Sequence, residues 1–77
     1  VYFRKVFTRV YGESPIKYLR TVRIKKAKEL LIGDDASIGR IAEMTGYSSV
    51  YTFSKMFKLE TGVSPTEYAK EYFRNHR

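Results

Sequence analysis

Seventy-seven residues without a single cysteine bound this chain to one small domain, which no disulfide staples and no thiolate metal site organises. No run of about 18 apolar residues offers a membrane-spanning helix, and the lack of cysteine fits a reducing cytoplasm. The net charge of +7 is unevenly placed. Nine bases (Arg4, Lys5, Arg9, Lys17, Arg20, Arg23, Lys25, Lys26, Lys28) face only Glu13 and Glu29 in residues 1–31, whereas residues 32–77 balance to zero. Such a block suits a polyanion, whose released counterions drive association, although a solvated helix face gives the same pattern.

In chain order, the first element is a helix whose Phe3, Val6, Phe7 and Val10 fall at i, i+3, i+4, i+7, one apolar face. Gly12 stops it, because glycine enters the left-handed conformation cheaply. Ser14 and Pro15 start the next helix as N-cap and first helical residue. That helix is the longest, from Pro15 to about Ile32, with Leu19, Ile24, Ala27, Leu30 and Leu31 at helical spacing. Lys17, Arg20, Lys25 and Lys28 are expected on its outer face. Gly33-Asp34-Asp35 ends it.

A shorter helix follows, capped by Asp35 or Ser37, with Ile38, Ile41, Ala42 and Met44 as its buried side. Gly39 within it costs about 1 kcal/mol relative to alanine. Gly46 then reverses the chain, with Tyr47 plugging the corner. A second amphipathic helix carries Phe53, Met56 and Phe57 on its core face. Gly62 stops it, and Ser64-Pro65-Thr66-Glu67 opens the last helix with capping-box spacing.

These elements repeat. Shifted by fifty positions, Phe3, Lys5, Phe7, Gly12, Ser14, Pro15 and Tyr18 fall on Phe53, Lys55, Phe57, Gly62, Ser64, Pro65 and Tyr68, without a gap. Each copy reads helix, glycine stop, serine-proline start, helix. Within the second copy, Ile38 to Lys58 has the form of a helix-turn-helix, with small Ala42 allowing close helix approach. Val50, Tyr51, Ser54, Lys55 and Lys58 lie away from the core phenylalanines. A helix so presented fits a major groove, where Lys55 can donate to guanine and Val50 or Tyr51 can meet thymine methyls. Ser48, Ser49, Ser54 and Lys58 suit phosphate contacts, and Arg9 takes that role on the first helix.

The order R-I-K-K-A-K-E-L-L (23–31), S-I-G-R-I-A-E-M-T-G-Y (37–47), Y-T-F-S-K-M-F-K (51–58) and G-V-S-P-T-E-Y (62–68) resembles the AraC-type transcription regulators. The resemblance covers essentially all of the chain. It implies an all-α fold of tandem, homeodomain-like helix-turn-helix subdomains joined by a long linker helix. The division it implies is 1–14 for the end of a first helix-turn-helix, 15–33 for the linker helix, and 34–77 for a complete second subdomain with its C-terminal helix. It implies transcriptional regulation through sequence-specific duplex DNA binding, in a bacterial cytoplasm, with no cofactor. Family roles fall on Val50, Tyr51, Thr52 and Lys55 as base contacts of the second recognition helix, and on Val1, Tyr2, Arg4 and Lys5 for the first. Backbone amides near Ile38 would approach a phosphate, and Ala27 and Leu30 would hold the subdomains in register. Adjacent major grooves would then be entered roughly 34 Å apart.

One departure from the pattern concerns the family's helix before each recognition helix, since the first of these would lie upstream of Val1. With no initiator Met, the chain reads as an excerpt of a longer protein that begins inside its first helix-turn-helix. Phe3 and Phe7 are then expected to expose an apolar patch that frays or self-associates. An effector-binding or dimerisation domain is expected elsewhere, and the family's contact with RNA polymerase makes the near-neutral second half a candidate partner surface.

Other classes fit less well. No nucleophile-base pair, metal set or phosphate-cradling loop supports an enzyme, and His76, the sole histidine, sits at the terminus. A membrane-surface helix over 15–31 is at odds with the duplicated, capped pattern. A basic helical RNA-binding or protein-docking module is the remaining alternative. Arg23, beside core-facing Ile24, reads as a structural arginine paired with Glu29 or a carbonyl, and most of the aromatic side chains read as packing groups.

Overall fold

A computed structural model describes residues 2–33 and 36–75, apart from the side chains of Tyr2 and Tyr11. The expected roles of Val1, Asp34, Asp35 and His76 lie outside the described residues, as does the side-chain role of Tyr2. Five helices follow in order: α1 (Tyr2–Tyr11), α2 (Pro15–Gly33), α3 (Ile38–Met44), α4 (Val50–Thr61) and α5 (Pro65–Asn75). Among the described residues there is no strand, and no helix is long and apolar enough to cross a membrane.

Local chemistry fixes the boundaries. Gly12 and Gly62 take φ of 79° and 90°, and each donates its N–H back four residues, to Thr8 O and Lys58 O, both at 2.8 Å. That single bond is the simple left-handed helix stop. After each stop a serine oxygen accepts the N–H three residues on: Lys17 N to Ser14 Oγ at 3.3 Å, and Glu67 N to Ser64 Oγ at 3.1 Å. Of the two expected caps for α3, Ser37 serves, accepting Arg40 N–H at 3.2 Å.

The core gathers around α2, which touches all four other helices. Ile24, Ala27 and Leu31 of α2, Ile41 and Ala42 of α3, and Phe53 and Phe57 of α4 are buried together. Rings continue the core outward: Tyr47–Phe53, Phe53–Phe57 and Phe57–Tyr68 centroids lie 5.7, 5.9 and 5.5 Å apart. In the first copy of the repeat, Phe3–Phe7 and Phe7–Tyr18 are 5.7 and 5.3 Å apart. The repeat in sequence is therefore a repeat in space, down to ring angles of 57° and 58° for the two phenylalanine pairs.

Their surroundings differ. Phe53 is fully buried beneath α2 and α3, whereas Phe3 stays 66% exposed and Val6 and Val10 are exposed beside it. The molecule is accordingly long, 46 × 26 × 18 Å, with a radius of gyration of 14.1 Å. About 11.5 Å is usual for a compact chain of this length.

Three expectations are corrected. Met44, placed on the buried side of α3, is 46% exposed. At 100° per residue it falls beyond the edge of the Ile38–Ile41–Ala42 stripe, and Thr45 takes the inward position instead. Thr45 is buried, its hydroxyl lying 2.8 Å from Ile41 O and 3.1 Å from Ala42 O. Leu19 is half exposed. Arg20, expected on the outer face of α2, turns inward to an ion pair with Glu60.

Candidate nucleic-acid interface

The site is built from α3, a turn, and α4. Gly46 N–H donates to Glu43 O at 3.1 Å and Tyr47 N–H to Ala42 O at 2.9 Å. These two crossed bonds make a Schellman stop, with Gly46 at φ 92° as its left-handed residue. An added Cβ at Gly46 would also stand 3.2 Å from the Arg23 guanidinium. The left-handed backbone is what favours glycine there, since the guanidinium need shift by only a few tenths of an ångström to admit a Cβ.

Arg23 does not pair with Glu29. Its guanidinium lies 5.3 Å from the centroid of the Tyr47 ring, over its face, while Glu29 faces Lys26 at 3.9 Å. The structural reading of Arg23 thus holds with a different partner, a cation–π contact tying α2 to the turn. Burial pushes the Tyr47 phenol above its ordinary value, partly opposed by the positive charges of Arg23 and Arg20.

Helix α4 is capped by Ser49, whose Oγ accepts Thr52 N–H at 3.1 Å and donates to Thr52 Oγ1 at 3.0 Å. Phe53 and Phe57 bury one face completely. The opposite face carries Tyr51, Lys55, Lys58 and Leu59, all exposed, with Tyr51 the most so at 77%. Rigid on one side and open on the other, α4 can be laid into a groove without disturbing its own core.

The remaining candidates are placed as follows. Val50 is exposed at the start of α4, with its Cγ2 3.6 Å from where a Cβ of Gly39 would stand. Thr52 and Ser54 are half-buried, the former held by Ser49, and Ser48 and Ser49 are exposed on the approach to the helix. Ile38 is half-buried against the core. On α1, Arg4, Lys5 and Arg9 are exposed, Lys5 at the repeat position of Lys55. Leu59 was missed by sequence reading, although its offset of two from Phe57 already takes it off the core stripe. Among the described residues no group of His, Asp or Glu side chains could hold a metal ion.

A capped helix packed across a second through a left-handed turn, with a cationic outward face, defines a helix-turn-helix protein of the DNA-binding class. The helix-turn-helix domain family matches residues 1–71. Relatives include an uncharacterised helix-turn-helix-type transcriptional regulator of Bacillus subtilis, YisR, 39% identical over 90% of this chain and 24% of its own length. The raffinose operon transcriptional regulatory protein RafR of Pediococcus pentosaceus is likewise 39% identical, over 90% of this chain and 25% of its own. This chain thus spans about a quarter of the curated relatives it matches. Among solved structures, the DNA-binding domain of AdpA in complex with a target DNA superposes with a TM-score of 0.89 at 31% identity, over 97% of this chain and 67% of that one. The C-terminal domain of AraT, a response regulator from Geobacillus stearothermophilus, gives 0.89 at 37% identity, over 91% and 58%. The chain belongs to the AraC-type helix-turn-helix family.

Proposed function

We propose that this chain is a duplex-reading module of a transcription regulator, which inserts α4 and α1 into adjacent major grooves. The observation that carries this reading is the division of α4 into a face locked by Phe53 and Phe57 and a face presenting Tyr51 and Lys55 to solvent. Lys55 donates to guanine O6 or N7, and Tyr51, Val50 and Thr52 meet base edges and thymine methyls. Arg4 and Lys5 act on α1, with Val1 and Tyr2 before them. Ser48, Ser49, Ser54, Lys58, Arg9 and the amides near Ile38 hold phosphates and set the register. The domain division is 1–14, 15–33 and 34–77. An effector-binding or dimerisation domain belongs to the longer protein, and the near-neutral second half of this chain offers the surface for RNA polymerase. The capture of AdpA's domain on a target DNA supports the partner chosen.

Selection of bound duplexes from a randomised pool tests the proposal, using this chain and a version extended upstream by one helix. Enrichment of a motif is expected, with a second block about 10 base pairs away for the extended version. Tight but unenriched binding that vanishes with salt would reduce the chain to a basic polyanion binder. Preference for structured RNA in direct competition would favour the RNA-binding alternative.

A further inference from the structure

Four ion pairs are present among the described residues, and three of them join neighbours three apart on one helix, with side chains at least 60% exposed. The fourth is different. Arg20 Nε on α2 donates to Glu60 Oε1 on α4 at 3.0 Å, and the two side chains are only 25% and 21% exposed. Thr21, the next residue of α2, points its hydroxyl at the other carboxylate oxygen, Oε2, at 3.1 Å, its single proton shared with Lys17 O at 3.0 Å on its own helix. Adjacent residues of one helix thus grip both oxygens of a single carboxylate on another.

Glu60 gains nothing from α4 itself. It stands in the last turn of the helix, where the macrodipole disfavours a negative charge. An acid on a helix that approaches phosphates also opposes binding at long range. Nor does it belong to the repeated module. The offset of fifty places Val10 opposite Glu60, Lys70 opposite Arg20 and Glu71 opposite Thr21, and these cannot rebuild the cluster. The cluster is a feature of the joint between the two copies.

Apolar contact between Phe53, Phe57 and the Ile24–Ala27 face resists separation but is non-directional. The charge-assisted Arg20 bond, with the shared Thr21 hydroxyl on the second oxygen, has direction and resists rotation of α4 about α2. Two residues before Arg20, the same stretch of α2 holds α1 through the Phe7–Tyr18 edge contact. Whatever fixes α2 against α4 therefore fixes α1 against α4.

We propose that the Arg20–Thr21–Glu60 cluster is a positioning device that sets the angle and separation of the exposed faces of α1 and α4. It selects the spacing between two base blocks without touching DNA. The DNA side of this inference rests on the function proposed above; the mechanical side does not.

The test removes the carboxylate with Glu60→Ala and, more gently, one bond with Thr21→Val. Losing one acid takes the formal net charge from +7 to +8, so affinity for random duplex should rise. In a pool whose two blocks are separated by varied lengths, read with the version extended upstream by one helix, the motif of each block should persist while the preference for one separation falls about tenfold. Thr21→Val should fall between parent and Glu60→Ala. Because the chain has no cysteine, spin labels on Thr8→Cys and Leu59→Cys report the α1–α4 distance directly by double electron–electron resonance. A narrow distribution in the parent that broadens in Glu60→Ala, with helicity unchanged, supports the clamp. An unchanged distribution, or an unchanged spacing preference, overturns it. Absence of any duplex preference in the parent would defeat the proposed function instead, and the label distances would still decide whether the cluster holds the helices.

Discussion

At the scale of single residues, the weight of the functional reading falls on Lys55. It sits at the centre of the face opposite Phe53 and Phe57, exposed, and takes part in none of the four ion pairs among the described residues. If it reads a base, Lys55→Ala should cost about 1–3 kcal/mol of discrimination at one position. Binding titrations against matched and mismatched duplexes measure that difference. A loss equal on every duplex, with the salt slope reduced by about one, would mark a phosphate contact instead. Thr52 is the weaker candidate among those named, because its hydroxyl is already engaged by Ser49 and its side chain is half-buried. Gly39 shows how a residue's environment revises a propensity argument. A Cβ there would meet Val50 Cγ2 at 3.6 Å, an ordinary contact, so its cost is conformational rather than steric necessity.

At the scale of elements, the two copies of the repeat permit an internal control. Phe7 and Phe57 occupy the same repeat position and make the same edge contact to a tyrosine, at 5.3 and 5.5 Å. Only Phe57 is fully buried. Phe57→Ala should therefore cost about 3–5 kcal/mol, enough to unfold much of a domain this small, while Phe7→Ala should cost about 1 kcal/mol. Denaturant melts followed by circular dichroism decide; equal losses would mean that α1 is as well supported in solution as α4. Much of this element structure was legible in the sequence. Gly12 and Gly62 announced the stops, Ser14 and Ser64 the caps, and the 3.6-residue spacing the core faces. Met44 was misassigned, and Thr45 left without a place, because α3 has only seven residues. So short a stripe leaves its edge undetermined until a neighbour covers it.

Across the whole molecule the stability is unevenly distributed. The second copy is closed over by α2 and α3, whereas the first leaves Phe3, Val6 and Val10 open. Amide hydrogens of α1 should exchange through local fraying, well before those of α4, which need global opening. Hydrogen exchange read by mass spectrometry measures the contrast, and equal protection across both helices would refute it. The order of helices, their stops, the repeat and the family were determined by the sequence alone, because each rests on local rules of backbone conformation, capping and periodicity. The Arg20–Thr21–Glu60 cluster and the Arg23–Tyr47 contact were decided only by the tertiary structure. Their partners stand 40, 39 and 24 positions apart in the chain. Periodicity sorts a helix into an apolar stripe and a polar remainder, but not which polar side chain on that remainder will be met by another helix.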